Sequence, residues 1–82
     1  MKKVIIYTTP TCGFCHMAKE YLKGKGVDFE EFDVSSNEEK AREMIQKSGQ
    51  MGVPVIIIKD EEKGTEDVII GFDQVRIDSA LQ

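Results

Sequence analysis

The chain has 82 residues, 15 acidic and 11 basic side chains, a net charge of −4 and two cysteines. That length predicts one domain over residues 1–82, with room for a modest core and none for a second domain or a large lid. The 40% apolar content argues against disorder, the lack of a Lys/Arg cluster argues against nucleic acid, and no apolar run approaches the roughly 20 residues of a membrane span.

The first element is expected at Val4 to Thr8, a β-branched and aromatic run closed by Thr9-Pro10. Met1-Lys2-Lys3 followed by this run is basic then apolar. The run falls short of the roughly 7–15-residue core of a secretory leader, and no small-residue cleavage site follows. The sequence therefore reads as cytoplasmic. In that compartment thiols are kept reduced, so a close cysteine pair points to catalysis or metal binding before structure.

Phe14, Met17, Ala18, Tyr21 and Leu22 recur at the spacing of an amphipathic helix, which Gly24 and Gly26 should end. Tyr7 and Met17 read as core. A second strand is expected over Val27 to Val34, giving a βαβ unit. Ser35-Ser36-Asn37 opens a second helix. Ser35 with Glu38, or Ser36 with Glu39, has the spacing of a capping box. Ala41, Met44, Ile45 and Ser48 form that helix's inner face, and Gly49 closes it. Val53-Pro54-Val55-Ile56-Ile57-Ile58 is a third strand led in by proline. Lys59 to Asp67 is a charged turn around Gly64. Val68-Ile69-Ile70 is a fourth strand antiparallel to the third. Asp73 caps a last helix with Ile77, Ala80 and Leu81 facing inward. The order is β-α-β-α-β-β-α.

On this map Cys12 falls just after the first strand, at the mouth of the first helix. Unpaired N–H groups and the partial positive charge of a helix N-terminus stabilise a thiolate. Such a site lowers a cysteine pKa from about 8.5 to roughly 3.5–7.5. Cys15 lies one turn further in, on the same side, and should be more buried. That asymmetry suits a two-step exchange: Cys12 attacks a substrate disulfide, then Cys15 attacks Cys12 and releases the reduced product.

A zinc site is the rival reading of Cys-x-x-Cys. Zinc wants four ligands, and only His16 and carboxylates could complete the set. A βαβ setting favours redox chemistry, and no metal is assigned. His16 reads as an exposed helical residue, because no carboxylate near it in sequence is placed to orient it. Phe14, between the cysteines, reads as a substrate contact.

The residues resemble the glutaredoxin family. The match runs in order through Ile6-Tyr7-Thr8, Cys12-Gly13-Phe14-Cys15-His16, Ala18-Lys19, Ser48-Gly49, Val53-Pro54 and Gly71-Phe72-Asp73. The resemblance implies an α/β thioredoxin fold, with a four-stranded mixed sheet flanked by helices. It implies a cis bond before Pro54, which faces the reactive cysteine, and a Val53 backbone that pairs with a substrate peptide or glutathione. It also implies thiol–disulfide oxidoreductase activity on protein disulfides or glutathione mixed disulfides. Cys12 and Cys15 are then the catalytic pair; Phe14, Val53, Pro54, Phe72 and Asp73 are the candidate contacts to substrate or glutathione. No tightly bound cofactor is expected, glutathione enters as co-substrate, and the chain is expected to act as a monomer.

The chain departs from the usual pattern at several positions. Gly13-Phe14 replaces Pro-Tyr between the cysteines. Thr9 stands where a lysine commonly contacts a glutathione carboxylate. Ala41 stands at a second-helix Gln or Arg contact, with Arg42 adjacent and Gln50 nearby. Gly52 replaces a threonine before Val53-Pro54, and Ile70-Gly71-Phe72-Asp73 replaces Gly-Gly-Cys-Asp. Asp73 alone keeps a glutathione-gripping side chain. Pro54-Val55 and Gly71-Phe72 instead resemble the redoxins that feed ribonucleotide reductase, a branch that takes electrons from thioredoxin reductase. A reading from another class is a [2Fe–2S] carrier. Cluster-binding members tend to have Gly or Ser after the first cysteine, as Gly13 is here, and use one thiolate per subunit with glutathione.

Overall fold

The computed structural model describes residues 2–82; Met1 of the basic N-terminal trio lies outside them. The elements are β1 (Lys2–Thr8), α1 (Gly13–Gly24), β2 (Glu30–Asp33), α2 (Glu38–Ser48), β3 (Val55–Asp60), β4 (Thr65–Ile70) and α3 (Gln74–Leu81). The expected β-α-β-α-β-β-α order holds. The sheet order is β2-β1-β3-β4. β1 pairs parallel with β2 and antiparallel with β3, and β3 pairs antiparallel with β4. This is the mixed, helix-flanked sheet of a thioredoxin fold.

The apolar runs of β1 and β3 are continuous, not alternating, because both faces of these central strands are covered. Val4, Ile6, Ile56, Ile58 and Ile69 face a layer built by Ala18 and Leu22 of α1 and Ile77 of α3. Ile5, Tyr7, Val55 and Ile57 face the other way, onto Met44 of α2. The period of two assigns successive residues of one strand to two separate cores.

Several boundaries differ from the sequence expectation. β2 is shorter than Val27 to Val34: the Val27 N–H donates to Leu22 O at 3.1 Å, so Val27 belongs to the exit from α1. That exit continues past Gly24 and turns at Gly26, where φ is +71°. α2 has no capping box on Ser35 or Ser36. Asp33 Oδ1 accepts from both the backbone and the hydroxyl of Ser35, at 2.9 and 2.6 Å. Asn37 caps instead, accepting from Lys40 N at 3.0 Å. Gly49 closes α2 in the left-handed region, as expected.

The hairpin is tighter than the charged stretch Lys59 to Asp67 suggested. Lys59 pairs with Glu66 and Asp60 with Thr65 in the ladder. Charged residues suit this strand because β4 is a sheet edge. Met17 is not core; it is 50% exposed. Ile45 is likewise on the exposed side of α2.

Tyr7 is core, as expected, but its hydroxyl is buried with no hydrogen-bond partner. Burial, followed by the nearby Glu43 carboxylate, pushes its pKa up to about 12. An orphaned buried hydroxyl costs on the order of 1–3 kcal/mol. Tyr7→Phe is therefore expected to stabilise the fold by about 1 kcal/mol, read as a higher urea midpoint at unchanged slope.

Candidate active site

Cys12 is the N-cap of α1, with extended backbone (φ −90°, ψ 110°). Its N–H donates to Thr9 O at 3.3 Å, and its carbonyl accepts from His16 N at 3.2 Å. Cysteine occupies the position usually held by Ser, Thr, Asp or Asn, and its sulfur does the capping. Cys12 Sγ accepts from Cys15 N at 3.0 Å. The two sulfurs are joined as a disulfide, with Cα atoms 5.2 Å apart. Cys12 is partly exposed, whereas Cys15 is 1% exposed beneath it. The expected difference in access is present.

The loop before β3 closes the other side. The Val53–Pro54 bond is cis, as the resemblance implies. Val53 O lies 3.9 Å from Cys12 Sγ. Pro54 is buried, and its carbonyl accepts from Gly71 N at 2.8 Å. β3 begins at Val55, so Val53 stays outside the ladder.

A feature that sequence reasoning missed holds this loop. Gln50 Nε2 donates to Gly52 O at 2.9 Å, and Gly52 N donates to Gln50 Oε1 at 2.7 Å. The amide side chain thus mimics a strand partner for Gly52. A Cβ at position 52 would lie 2.8 Å from Gln50 Oε1. Gly52, noted only as a departure, is what permits this clamp. An amide two residues before a glycine is the only local signal for it.

The remaining predicted residues divide. Phe14 is 64% exposed beside the pair. Phe72 is partly buried, its ring meeting Tyr21 edge-on at 5.6 Å. Asp73 is the N-cap of α3, accepting from Arg76 N at 3.2 Å. Its capping role is thus in place. His16 is exposed. Among the described residues no group of three or more His, Cys, Asp and Glu side chains is arranged to hold a metal ion. No described helix is long and apolar enough to cross a membrane.

A polar bridge ties α1 to the sheet near this end. The buried Thr8 hydroxyl donates to Glu31 Oε2 at 2.8 Å, and Lys19 Nζ meets the same oxygen at 2.9 Å. Hydrogen bonds from Lys19 and then Thr8 outweigh burial and hold the Glu31 carboxyl below its ordinary range.

A strand, a reactive cap, a buried second cysteine and a cis proline together define a thiol–disulfide redox fold, and comparison with known proteins gives the family. The glutaredoxin family model matches residues 4–62, and the chain belongs to the glutaredoxin family. It is 42% identical over 73 residues to glutaredoxin 3 of Escherichia coli, covering 89% of this chain and 88% of that one. It is 40% identical over 77 residues to a glutaredoxin-like 8.6 kDa protein in the rubredoxin operon of Clostridium pasteurianum, covering 94% and 95%. Among solved structures it resembles the glutaredoxin-like NrdH-redoxin of E. coli, which has a thioredoxin-like activity profile. There the TM-score is 0.72 at 27% identity, over 93% of this chain and 92% of that one. The family generally consists of thiol–disulfide oxidoreductases.

Proposed function

We propose that this chain reduces protein disulfides through Cys12 and Cys15, and that a flavoprotein dithiol reductase of the thioredoxin-reductase class, in preference to glutathione, restores it. The carrying observation is Cys12 Sγ at the N-cap of α1, receiving the Cys15 N–H, above a Cys15 that solvent barely reaches.

In the reduced protein the same N–H and the helix N-terminus stabilise the Cys12 thiolate. That thiolate attacks one sulfur of the substrate disulfide. The other sulfur leaves as a thiolate and takes a proton. The Cys15 thiol then loses its proton and attacks Cys12 Sγ, and the substrate's second sulfur leaves. The substrate gains two electrons and two protons, and the chain is left with its Cys12–Cys15 disulfide. The Val53 backbone, beside Cys12 and outside the β3 ladder, is the docking edge for the substrate chain. Pro54 holds that edge in place.

The donor assignment follows from the side chains near the pair. Glutathione carries two carboxylates and an ammonium. Thr9 offers no charge and the Gln50 amide is engaged with Gly52, which leaves Asp73, itself capping α3 through one oxygen, as the one predicted side chain to meet glutathione. The thioredoxin-like profile of the NrdH-redoxin neighbour supports the same choice. The test compares insulin-disulfide reduction with NADPH and thioredoxin reductase against NADPH, glutathione and glutathione reductase. Turnover is expected to be at least about tenfold faster with the first donor, about 1.4 kcal/mol in transition-state terms. Faster turnover with glutathione would overturn the donor assignment and leave the exchange chemistry standing.

A further inference from the structure

Beside the cysteine pair lies an apolar cleft that the exchange itself does not require. Gly13, Phe14 and Met17 line a shallow, largely open hollow of about 290 Å³. Phe14 and Met17 stand three residues apart on α1, so their side chains are neighbours on one helix face. They are 64% and 50% exposed, while Cys15, Ala18 and Leu22 of the same helix are buried. The core layer therefore does not account for this part of the apolar stripe. No lining residue is ionisable. Four other cavities, by contrast, are each lined by two or more charged side chains.

We infer that this cleft is a specificity subsite. It receives a large apolar side chain, such as Leu, Phe or Met, next to the disulfide cysteine of an extended protein substrate. The inference rests on the exchange reading of Cys12 and Cys15, and it adds the class of sequence that they serve. A substrate cysteine bonded to Cys12 brings its chain neighbours, about 3.8 Å apart per residue between Cα atoms, past Phe14. The Val53 edge beside Cys12 holds that chain extended. Phe14 supplies a flat apolar wall. Met17, unbranched and polarizable, adapts to more than one partner shape. An acidic or small polar side chain there would gain no apolar contact from either residue.

The test uses three synthetic peptide disulfides that differ only in the residue after the reactive cysteine: Leu, Ser or Asp. The wild-type chain is expected to reduce the Leu peptide with a kcat/KM about tenfold or more above the Ser and Asp peptides, within the range that a few methylenes support. Met17→Glu is expected to bring the Leu-to-Ser ratio close to one, and Met17→Leu to keep it. Because Met17 is half exposed, both variants should fold, and the ratio cancels any common loss of rate. Equal kcat/KM for the Leu and Ser peptides, or a ratio that Met17→Glu leaves unchanged, would overturn the subsite while leaving the exchange chemistry intact. Failure to reduce any of the three peptides would overturn the exchange chemistry and the subsite with it.

Discussion

Replacing Cys12 with serine is expected to lower disulfide reduction by roughly three orders of magnitude or more, because a hydroxyl at the helix cap cannot serve as the attacking thiolate. Serine is a good N-cap, and position 12 is partly exposed, so the fold should survive the change. Cys15→Ser is expected to behave differently. The Cys12 thiolate still attacks, but no second thiol completes the exchange, so a mixed disulfide accumulates. Intact-protein mass spectrometry with a disulfide-bearing substrate reads this directly. Cys15→Ser should gain the mass of one substrate chain, and Cys12→Ser should not. Trapping by Cys12→Ser alone would reverse the two roles, and equal trapping by both would remove the distinction that burial makes between them.

The same exposure difference shows what the sequence could carry. Placing Cys12 at a helix start needed only a β-branched run, a Thr-Pro break and an apolar spacing. These local signals agree with one another, so the site's skeleton was legible. Gly49 and Asp73 were legible for the same reason, since each satisfies the backbone of its own helix end. Met17 was misread because helical periodicity gives the direction of an apolar stripe and not its width. Phe14 and Met17 continue the stripe of Ala18 and Leu22, yet the sheet covers only the latter two. Ser35 was misread as a cap because its competitor, the Asp33 carboxylate, lies only two residues away. β4 began earlier than expected because Thr65, Glu66 and Asp67 are polar strand residues on an edge, where composition resembles that of a turn. The Gln50 clamp depended on a loop geometry that no periodic pattern encodes.

The site's precision rests on how α1 is fixed to the sheet. Cys12 and Cys15 belong to the first turn of that helix, whereas Val53 and Pro54 belong to the β3 approach. Their registry across the 3.9 Å gap is therefore a property of helix–sheet packing. The Thr8–Glu31–Lys19 bridge ties α1 to β1 and β2. Tyr21 donates to Asp78 at 2.6 Å and ties α1 to α3. Lys19, Glu31, Lys25 and Asp78 are substantially solvent-accessible, so their ion pairs contribute modestly. The apolar contact beneath them dominates.

Leu22 carries much of that contact. It is fully buried, in the layer formed by Val4, Ile6, Ile56, Ile58, Ile69 and Ile77. Leu22→Ala is expected to cost about 3 kcal/mol, within the roughly 2–5 kcal/mol found for such truncations, because the rigid strands on the far side cannot collapse into the void. A chain of 82 residues has a total stability on the order of 4–12 kcal/mol. The loss is thus a large fraction of what holds the fold. It should appear as a lower urea midpoint at unchanged slope, and as a melting temperature reduced by more than about 10 °C. Met17→Ala, from the exposed side of the same helix, should shift stability by less than about 0.5 kcal/mol. Similar losses for the two variants would mean that α1 is not held by the layer that Leu22 fills. Where Leu22→Ala still folds, loosened seating of α1 should also slow disulfide exchange, since the Cys12 sulfur and the Val53 edge are aligned chiefly through that layer.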